Sequence, residues 1–408
     1  MTQSKVIWII NNYASHLETR HLELARQFAE NGYTTAVITS SYHHGRREYM
    51  YAGEYVLQKR AENVFFVYLK AKPEYAGNGA KRVLNMLNFC RIVEKHQEQL
   101  CRDTGKPDFI IGSSAHPFVW ETAYRLAKKH NAKFIAEFRD IWPLSLVQIQ
   151  GVSPTHPFVL LMSAVEKRAY KRADAIVGTM PFAYKHLEDL GYSTEKYYWM
   201  PNGINTENVD NILQSGQKLS PELEDYLSAH WCCVYVGSIV KSECMDYIID
   251  AWKLVGQEDL YMAIVGEGAE RDHIQQRIDE EQIPNIIMFP AVKPDEVPLI
   301  LAKAKCCTAA LGFGKVGEFG LSKYKLNDYL YSGKPTVFAC DEPNIVRDAG
   351  HFSVSAEDPQ EMADAIVRIS TLSEEELEEL KEKGQALIRK DYAVDTIGRK
   401  YIEMLESL

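Results

Sequence analysis

The sequence has no apolar run long enough to cross a bilayer. A spanning helix needs about 18 consecutive apolar residues, whereas the first such run, Val6–Ile10, is followed at once by Asn11 and Asn12. That run reads as an opening strand and is too short for the apolar core of a signal peptide. No C-x-x-C pair occurs among the eight cysteines, which argues against a zinc site or a disulfide framework. Cys232–Cys233 and Cys306–Cys307 lie inside strand-like runs, where neighbouring side chains point to opposite faces. The expectation is reduced, mostly buried thiols in a cytoplasmic protein. No dense basic stripe with interleaved aromatics is present, so nucleic acid is not an expected partner.

What is there is the composition of a globular protein, 46% hydrophobic and 25% charged over 408 residues. That length is too great for one ordinary core and suits two domains. The net charge of −10 conceals an asymmetry. Residues 1–205 carry 26 Lys and Arg against 19 Asp and Glu, net +7, and the remainder carries 20 against 37, net −17. Only the first half is suited to an anionic surface.

Val6–Ile10, an amphipathic helix over Leu17–Glu30 and a strand over Thr34–Thr39 make a β-loop-α-β unit that opens a parallel α/β domain. Ligands of such sheets sit beyond the C-terminal strand ends. Asn12, Tyr13, Thr19, Arg20 and His21 are therefore candidates for a substrate cleft, although Arg20 and His21 could equally be surface residues of a first helical turn. Residues 40–80 read as loop-rich. Ala80–Glu98 is a basic helix, with Val83, Leu84, Leu87 and Ile92 in a stripe that Met86 and Phe89 widen. Lys81, Arg82, Arg91 and Lys95 flank it. Such a helix covers a sheet or lies on an anionic membrane surface. Strands over 107–112 and 133–136 end at His116 and at Glu137-Phe138-Arg139-Asp140. His116 follows a parallel strand directly, where a cleft lies. Arg139 and Asp140 could instead form an internal ion pair.

In the second half, strands are expected over 232–237, 261–266, 285–289, 306–311 and 336–339. Gly312–Gly317 spells G-x-G-x-x-G but opens no helix in a first βαβ unit, so it reads as a loop and not as a dinucleotide fingerprint. The most informative stretch is Gly320–Pro335. A glycine-led turn feeds a helix with Leu326, Tyr329 and Leu330 on one face, and Gly333 and Pro335 stop it. A helix start presents free N–H groups and positive potential. Lys323 and Lys325 sit on its first turn, an arrangement that suits a diphosphate. Asp328, one turn on, could hold ribose hydroxyls. The plain alternative is a capped helix with solvated lysines.

Gly320–Pro335 resembles the donor-binding signature of retaining glycosyltransferases of family 4. Within that family it is similar to the branch reading G-[IL]-S-P-N-K-L-F-D-Y-M-A-A-G-K-P, found in bacterial O-antigen and capsule sugar transferases (WbuB-like). Asp328 stands for the second glutamate of that family's E-x7-E motif and Gly320 for the first. Lys323 and Tyr324 replace the usual Pro-Asn. The branch is also matched by T-R-H-x-E-L-A at Thr19–Ala25, S-x-H-P-F at Ser114–Phe118 and E-x-R-D-x-W-P at Glu137–Pro143. Pro201-Asn202-Gly203 matches the family's inter-domain linker, and Gly266-Glu267-Gly268 resembles its V-G-x-G. The family's G-R-x4-K-G falls on Gly237, Ser238 and Glu243, so both basic residues are missing. Lys241, Lys323 and Lys325 are the candidate substitutes.

The resemblance implies an α/β protein of GT-B fold, two Rossmann-like domains with parallel sheets facing across a cleft. Residues 1–204 would bind acceptor, 205–389 the nucleotide-sugar, and 390–408 would form a helix crossing back to the first domain. It implies a hexosyl- or N-acetylhexosaminyl-type transferase acting in surface polysaccharide synthesis. The donor would be UDP-linked, and the acceptor a saccharide or lipid-linked saccharide. The expected donor residues are Gly237, Ser238, Lys241, Gly266, Val292, Leu321, Ser322, Lys323, Lys325 and Asp328. The acceptor residues would be Asn12, Tyr13, Thr19, Arg20, His21 and Glu137, with His116, Arg139 and Asp140 at the reacting centre. No cofactor is expected, and with no D-x-D sequence, no metal. Residues 80–98 are candidates for peripheral contact with the inner face of the membrane. Two other readings stay open: a nucleotide-sugar epimerase of the same fold, and a non-catalytic sugar-nucleotide-binding subunit.

Overall fold

The structure, a computed structural model, describes residues 4–14, 19–77, 79–148, 150–312 and 315–408, with the side chains of Thr19, Lys315 and Val316 left aside. The expected helix residue Leu17 and part of the Gly312–Gly317 loop lie outside the described residues. The chain forms two compact units, Met1–Asn202 with Val394–Leu408, and Gly203–Ala393. The divisions fall at Asn202 and Ala393, close to the positions 204 and 389 expected from sequence.

The first unit holds β1 (Val6–Ile10), β2 (Thr34–Ser40), a small hairpin of β3 (Tyr42–His43) and β4 (Glu48–Tyr49), β5 (Tyr55–Ala61), β6 (Val64–Leu69), β7 (Phe109–Ser114), β8 (Lys133–Phe138), β9 (Ala175–Gly178) and β10 (Tyr197–Trp199). Eight of these make one sheet in the order β10-β9-β8-β7-β1-β2-β6-β5. All its pairings are parallel except β5 on β6. The order runs one way from β1 to β2 and the other way to β7. The C-terminal ends of β1 and β7 therefore flank a switch point, where such sheets bind ligands. Side chains of β1 alternate across the sheet. Ile7 and Ile9 pack in one cluster with Leu24, Ala25 and Phe28 of the helix Thr19–Glu30 and with Ile397, Tyr401 and Leu405 of the last helix, Val394–Ser407. Trp8 faces the other way and donates its ring N–H to Thr104 Oγ1 at 3.1 Å.

Two expectations are corrected. Residues 40–80, read as loop-rich, also hold two strands of the main sheet, Tyr55–Ala61 and Val64–Leu69. Val-Phe-Phe-Val-Tyr-Leu is β-branched or aromatic at every position but the last, as suits a strand paired on both sides, here with β2 and β5. The basic helix runs longer, Ala80–Thr104, and buries Met86, Phe89, Cys90, Val93 and Leu100. Leu84 and Leu87 of the expected stripe instead stand in solvent, 55% and 45% exposed.

The second unit holds β11 (Trp231–Val236), β12 (Leu260–Val265), β13 (Ile286–Phe289), β14 (Cys306–Ala310), β15 (Thr336–Ala339) and β16 (Phe352–Val354). They form one wholly parallel sheet, ordered β13-β12-β11-β14-β15-β16. Its switch point lies between β11 and β14. Strands buried on both faces read as continuous apolar runs, as in Trp-Cys-Cys-Val-Tyr-Val of β11. All eight cysteines are free thiols.

The last helix is close enough to the first that a Cβ on Gly398 would meet Gln27 Cβ at 2.7 Å. Deleting Val394–Leu408 uncovers Phe28 and Leu24, and burial of each such side chain contributes about 1.5–3 kcal/mol. The truncated chain is expected to lose cooperative unfolding of the first unit, checked by urea denaturation.

Candidate active site

At the heart of the first unit, the Glu137 carboxylate on β8 accepts from Arg20 Nη2 at 2.7 Å, from Ser113 Oγ at 2.6 Å and from the Tyr401 hydroxyl. Arg20 also donates to the carbonyls of Pro201 at 2.6 Å and Met200 at 3.0 Å. His21 Nε2 lies 2.9 Å from Ser113 Oγ. Burial works to raise the Glu137 pKa, but Arg20 and the other donors outweigh it and hold the carboxyl at about 2. Arg20, His21 and Glu137 are all buried. These three, expected to touch acceptor, are engaged with the scaffold, so they position the loops around them. Thr19 begins the helix, but its side chain lies outside the described residues.

Above this network the picture reverses. Both amide atoms of Asn12, the Oγ atoms of Ser41 and Ser114, and both ring nitrogens of His116 are buried without a hydrogen-bond partner among the described residues. Asn12 follows β1, Ser41 follows β2, Ser114 ends β7 and His116 comes just after it. Buried polar atoms nearly always have partners, so these six, on four residues at the strand ends beside the switch point, mark a place for water or a polar ligand. Burial, and then the charge of Arg82, pushes the His116 pKa down to about 3. His116 is therefore neutral at physiological pH and can donate through one nitrogen and accept through the other. Next to Asn12, Tyr13 accepts from Arg82 Nε at 3.0 Å and from the Tyr75 hydroxyl at 3.3 Å. Its ring lies 5.6 Å from that of His44, which stacks on Tyr75 at 5.5 Å. The result is an aromatic wall rimmed by Arg82. Arg139 and Asp140 follow β8, the first half-buried and the second exposed. Ser41, Ser114, Tyr75 and Arg82 were missed from sequence. The Arg82 position on a flanking helix was visible, but its approach to Tyr13 depends on tertiary packing.

In the second unit the expected donor residues gather at the C-terminal ends of β11, β12 and β13 and at the helix Tyr324–Tyr331 that follows β14. The loops after β11 and β12 are joined backbone to backbone, Gly237 N to Val265 O at 3.0 Å and Ile239 N to Glu267 O at 2.9 Å. A Cβ on Gly266 would lie 1.9 Å from the Gly237 carbonyl oxygen, and one on Gly268 2.0 Å from that of Ile239. Gly266-Glu267-Gly268 thus has glycine because two main chains touch. The Tyr324–Tyr331 helix is fixed to the end of β11 by Tyr329, whose hydroxyl accepts from Val236 N at 2.8 Å and donates to Val236 O at 3.1 Å. Leu326, Tyr329 and Leu330 form its buried face, and Gly333 leaves it at φ +73°, the left-handed stop common at helix ends. Gly320, in place of the family's first acid, has φ +80°. A glutamate there would be strained.

Lys325 Nζ lies where a Cβ on Gly237 would approach to 2.7 Å, so that glycine makes room for the ammonium. The ammonium donates to the Tyr235 hydroxyl at 2.8 Å and to Glu243 Oε2 at 2.7 Å. Lys323 Nζ donates to Glu243 Oε1 at 3.0 Å. Burial raises the Glu243 pKa, but Lys325 and then Lys323 outweigh it, so the carboxyl is held below its usual range. Burial lowers the Lys325 pKa against the pull of Glu243. Tyr235 and Glu243 were not expected as lysine partners, since no spacing rule brings residues so distant in sequence together. Ser238 is exposed, with its carbonyl taken by Tyr235 at 2.6 Å, and Lys241 is exposed at the start of the turn that follows. Leu321 is buried, Ser322 and Val292 half-buried. No described contact joins Val292 or Lys241 to the lysine pair. Asp328 is half-buried and lines a small recess of about 80 Å³ with Pro298, Leu301, Tyr331 and Gln385. Burial pushes its pKa up to about 7.

Residues 17–208 match the family profile described as glycosyltransferase family 4, and residues 232–371 the profile described as glycosyl transferases group 1. Among curated proteins, the Escherichia coli (strain K12) protein WcaI, whose name refers to a glycosyl transferase of colanic acid biosynthesis, is 20% identical over 228 residues. The match takes in 55% of this chain and 56% of WcaI, so the chain spans little more than half the length of that relative. Among solved structures, sucrose-phosphate synthase from Thermosynechococcus elongatus superposes with a TM-score of 0.73 at 14% identity, covering 99% of this chain and 98% of that one. Anabaena HepE, solved in complex with UDP, superposes at 0.67 and 15% identity, covering 99% and 100%. At such identities these structures establish the fold, which is GT-B.

The buried His116 gives a test. Its pKa is lower folded than unfolded, so between pH 6.5 and 3 the unfolded chain binds the extra proton and stability falls as the pH drops. The slope approaches about 1.4 kcal/mol per pH unit. His116→Asn is expected to flatten that part of the profile, read from urea midpoints between pH 4 and 7.

Proposed function

Because the chain belongs to family 4 of the glycosyltransferases, we propose that it moves a sugar from a UDP-linked donor to a saccharide or lipid-linked saccharide in the synthesis of a bacterial surface polysaccharide. The observation that carries the donor half is the lysine pair. Lys323 and Lys325 flank the start of an eight-residue helix, beside a glycine loop at the switch point of a parallel sheet. Phosphate oxygens fit such a place, where amide N–H groups, the helix dipole and fixed ammonium groups converge. UDP in HepE and the colanic acid role in the WcaI name support the choice of base and pathway class.

Asn12, Ser114 and His116 receive acceptor hydroxyls, and Tyr13 and Tyr75 offer apolar ring faces to the sugar. The anomeric configuration is retained. The C–O bond to the leaving phosphate breaks while a phosphate oxygen takes the proton of the hydroxyl that attacks on the same face. Neutral His116 orients that hydroxyl and need not act as a base. Lysines and backbone amides stabilise the charge that develops on the diphosphate, so donor binding does not depend on a metal. Asp328 accepts from the ribose hydroxyls.

Calorimetric titration of UDP, GDP and ADP, without and then with magnesium, tests the donor half. One diphosphate is expected to bind in both conditions. Lys325→Ala should weaken it at least about tenfold, the loss of one charge-assisted contact, and Asp328→Ala should weaken it with the fold intact. Failure of every nucleotide to bind overturns the reading.

Peripheral membrane contact belongs to the same proposal. Leu84 and Leu87 are exposed beside Lys81, Arg91 and Lys95 on one helix, and Leu160 and Leu161 are 56% and 50% exposed on another. Leucines inserted among anionic headgroups with lysines above them give an interfacial contact. The protein is expected to float with vesicles containing phosphatidylglycerol and not with phosphatidylcholine alone. L84S/L87S should lose that binding, and equal flotation of the variant removes the contact.

A further inference from the structure

We propose that Glu243 is a stand-in anion, occupying the phosphate position between Lys323 and Lys325 when donor is absent and yielding it when the diphosphate enters. The inference rests on the donor reading above and deepens it.

Each oxygen of one carboxylate takes one ammonium, Oε1 from Lys323 at 3.0 Å and Oε2 from Lys325 at 2.7 Å. Two neighbouring oxygens of a phosphate present the same pattern to the same two donors. The residue is buried, as a phosphate in that place would be, and Glu243 is 8% exposed. The lysines need such a partner. Lys325 is packed over the Tyr235 ring, 4.3 Å from its centroid, and against Gly237. An ammonium in that setting without a counter-charge is destabilised.

Glu243 also sits where it can leave. The Tyr324–Tyr331 helix carrying the lysines is fixed by Tyr329 to the end of β11. Glu243 instead closes a single tight turn, Lys241–Glu243, outside the sheet. The next residue, Cys244, is held at φ +47° and ψ +47°, a left-handed conformation unfavourable for a side-chain-bearing residue. In the proposed exchange the Glu243 side chain is the partner that moves, and the cations stay in place. The exchange keeps the lysines charged and aimed throughout. It also makes donor and product diphosphate compete with an internal carboxylate, which weakens binding and speeds release.

The test is nucleoside diphosphate binding to E243Q, compared with the wild-type chain by calorimetry and thermal shift. Removing the internal competitor should lower the apo melting temperature, because two ammonium groups then face each other. It should tighten UDP about tenfold, the size expected when a charge-assisted contact no longer has to be broken, and enlarge the UDP-induced shift in melting temperature. E243D is the second variant. Its shorter carboxylate reaches one lysine only, and UDP should bind more tightly than to wild type but less than to E243Q. Unchanged or weaker UDP binding in folded E243Q or E243D overturns the inference, since Glu243 would then be scaffold that holds the lysines in place. If wild type binds none of UDP, GDP or ADP, the donor reading falls and this inference with it.

Discussion

The carboxylate of Glu137 is the point on which the first unit depends. Its donors come from β7, from the first helix and from the last helix, so one charged group ties together segments from opposite ends of the chain. Arg20 extends the network to the main chain at Met200 and Pro201. A buried ion pair is costly to assemble, and loss of one partner strands the other. Here both oxygens of the carboxylate have donors, Oε1 from Ser113 and Oε2 from Arg20 and Tyr401, and that pairing turns an expensive group into a rigid one. The consequence is local. Ser113 is held from below, and the next residue, Ser114, and then His116 present atoms without protein partners at the strand end. A polar ligand site needs polar groups that stay put while unsatisfied, and the saturated layer beneath provides this.

The second unit uses a buried carboxylate in the opposite way. The partners of Glu137 are all scaffold, whereas those of Glu243 are the two lysines that the helix start offers to ligand. Both carboxylates are held below the ordinary range by neighbouring cations that outweigh burial. What separates them is where those cations are anchored. Arg20 is itself fixed by two carbonyls, while Lys323 and Lys325 point from a helix start beside a glycine-lined loop. The same chemistry gives a fixed network in one unit and, on the proposed reading, an exchangeable one in the other.

The sequence made the alternation of strands and helices legible, and with it the two parallel sheets, because period and punctuation are local. Val6–Ile10 with its following helix, and the Gly320–Pro335 turn, helix and stop, could be read from spacing alone. Val64–Leu69 is not legible as a strand of this sheet because it lies among glycines, tyrosines and charges that resemble loop, and its place beside β2 is decided by long-range pairing. The facing of the Ala80–Thr104 helix was ambiguous because apolar residues cover more than one stripe. Packing buried Met86, Phe89 and Val93 and left Leu84 and Leu87 outside. In the candidate site, His116 and Asn12 were legible as residues just past parallel strands. Arg20, His21 and Glu137 were legible as polar residues of interest, but whether they face ligand or each other depends on Tyr401, more than 250 positions from Glu137.

Charge in the donor region shows how far local geometry must work against its surroundings. Residues 206–408 carry a net −17, a field that repels a dianionic diphosphate at long range. At contact, the lysine pair less Glu243 leaves one net positive charge, and the family's first acid is replaced by Gly320 at a backbone conformation that disfavours any larger residue. Absence of that acid relieves the site of one more negative charge, while Glu243 adds one back in a movable form. Most of the attraction must then come from short-range donors, the amide N–H groups at the start of the Tyr324–Tyr331 helix and the two ammonium groups. Such donors act strongly in a half-buried setting and little beyond it. On the proposed donor reading, such a site would distinguish a correctly seated diphosphate from other anions by geometry, because charge alone would not draw any of them in.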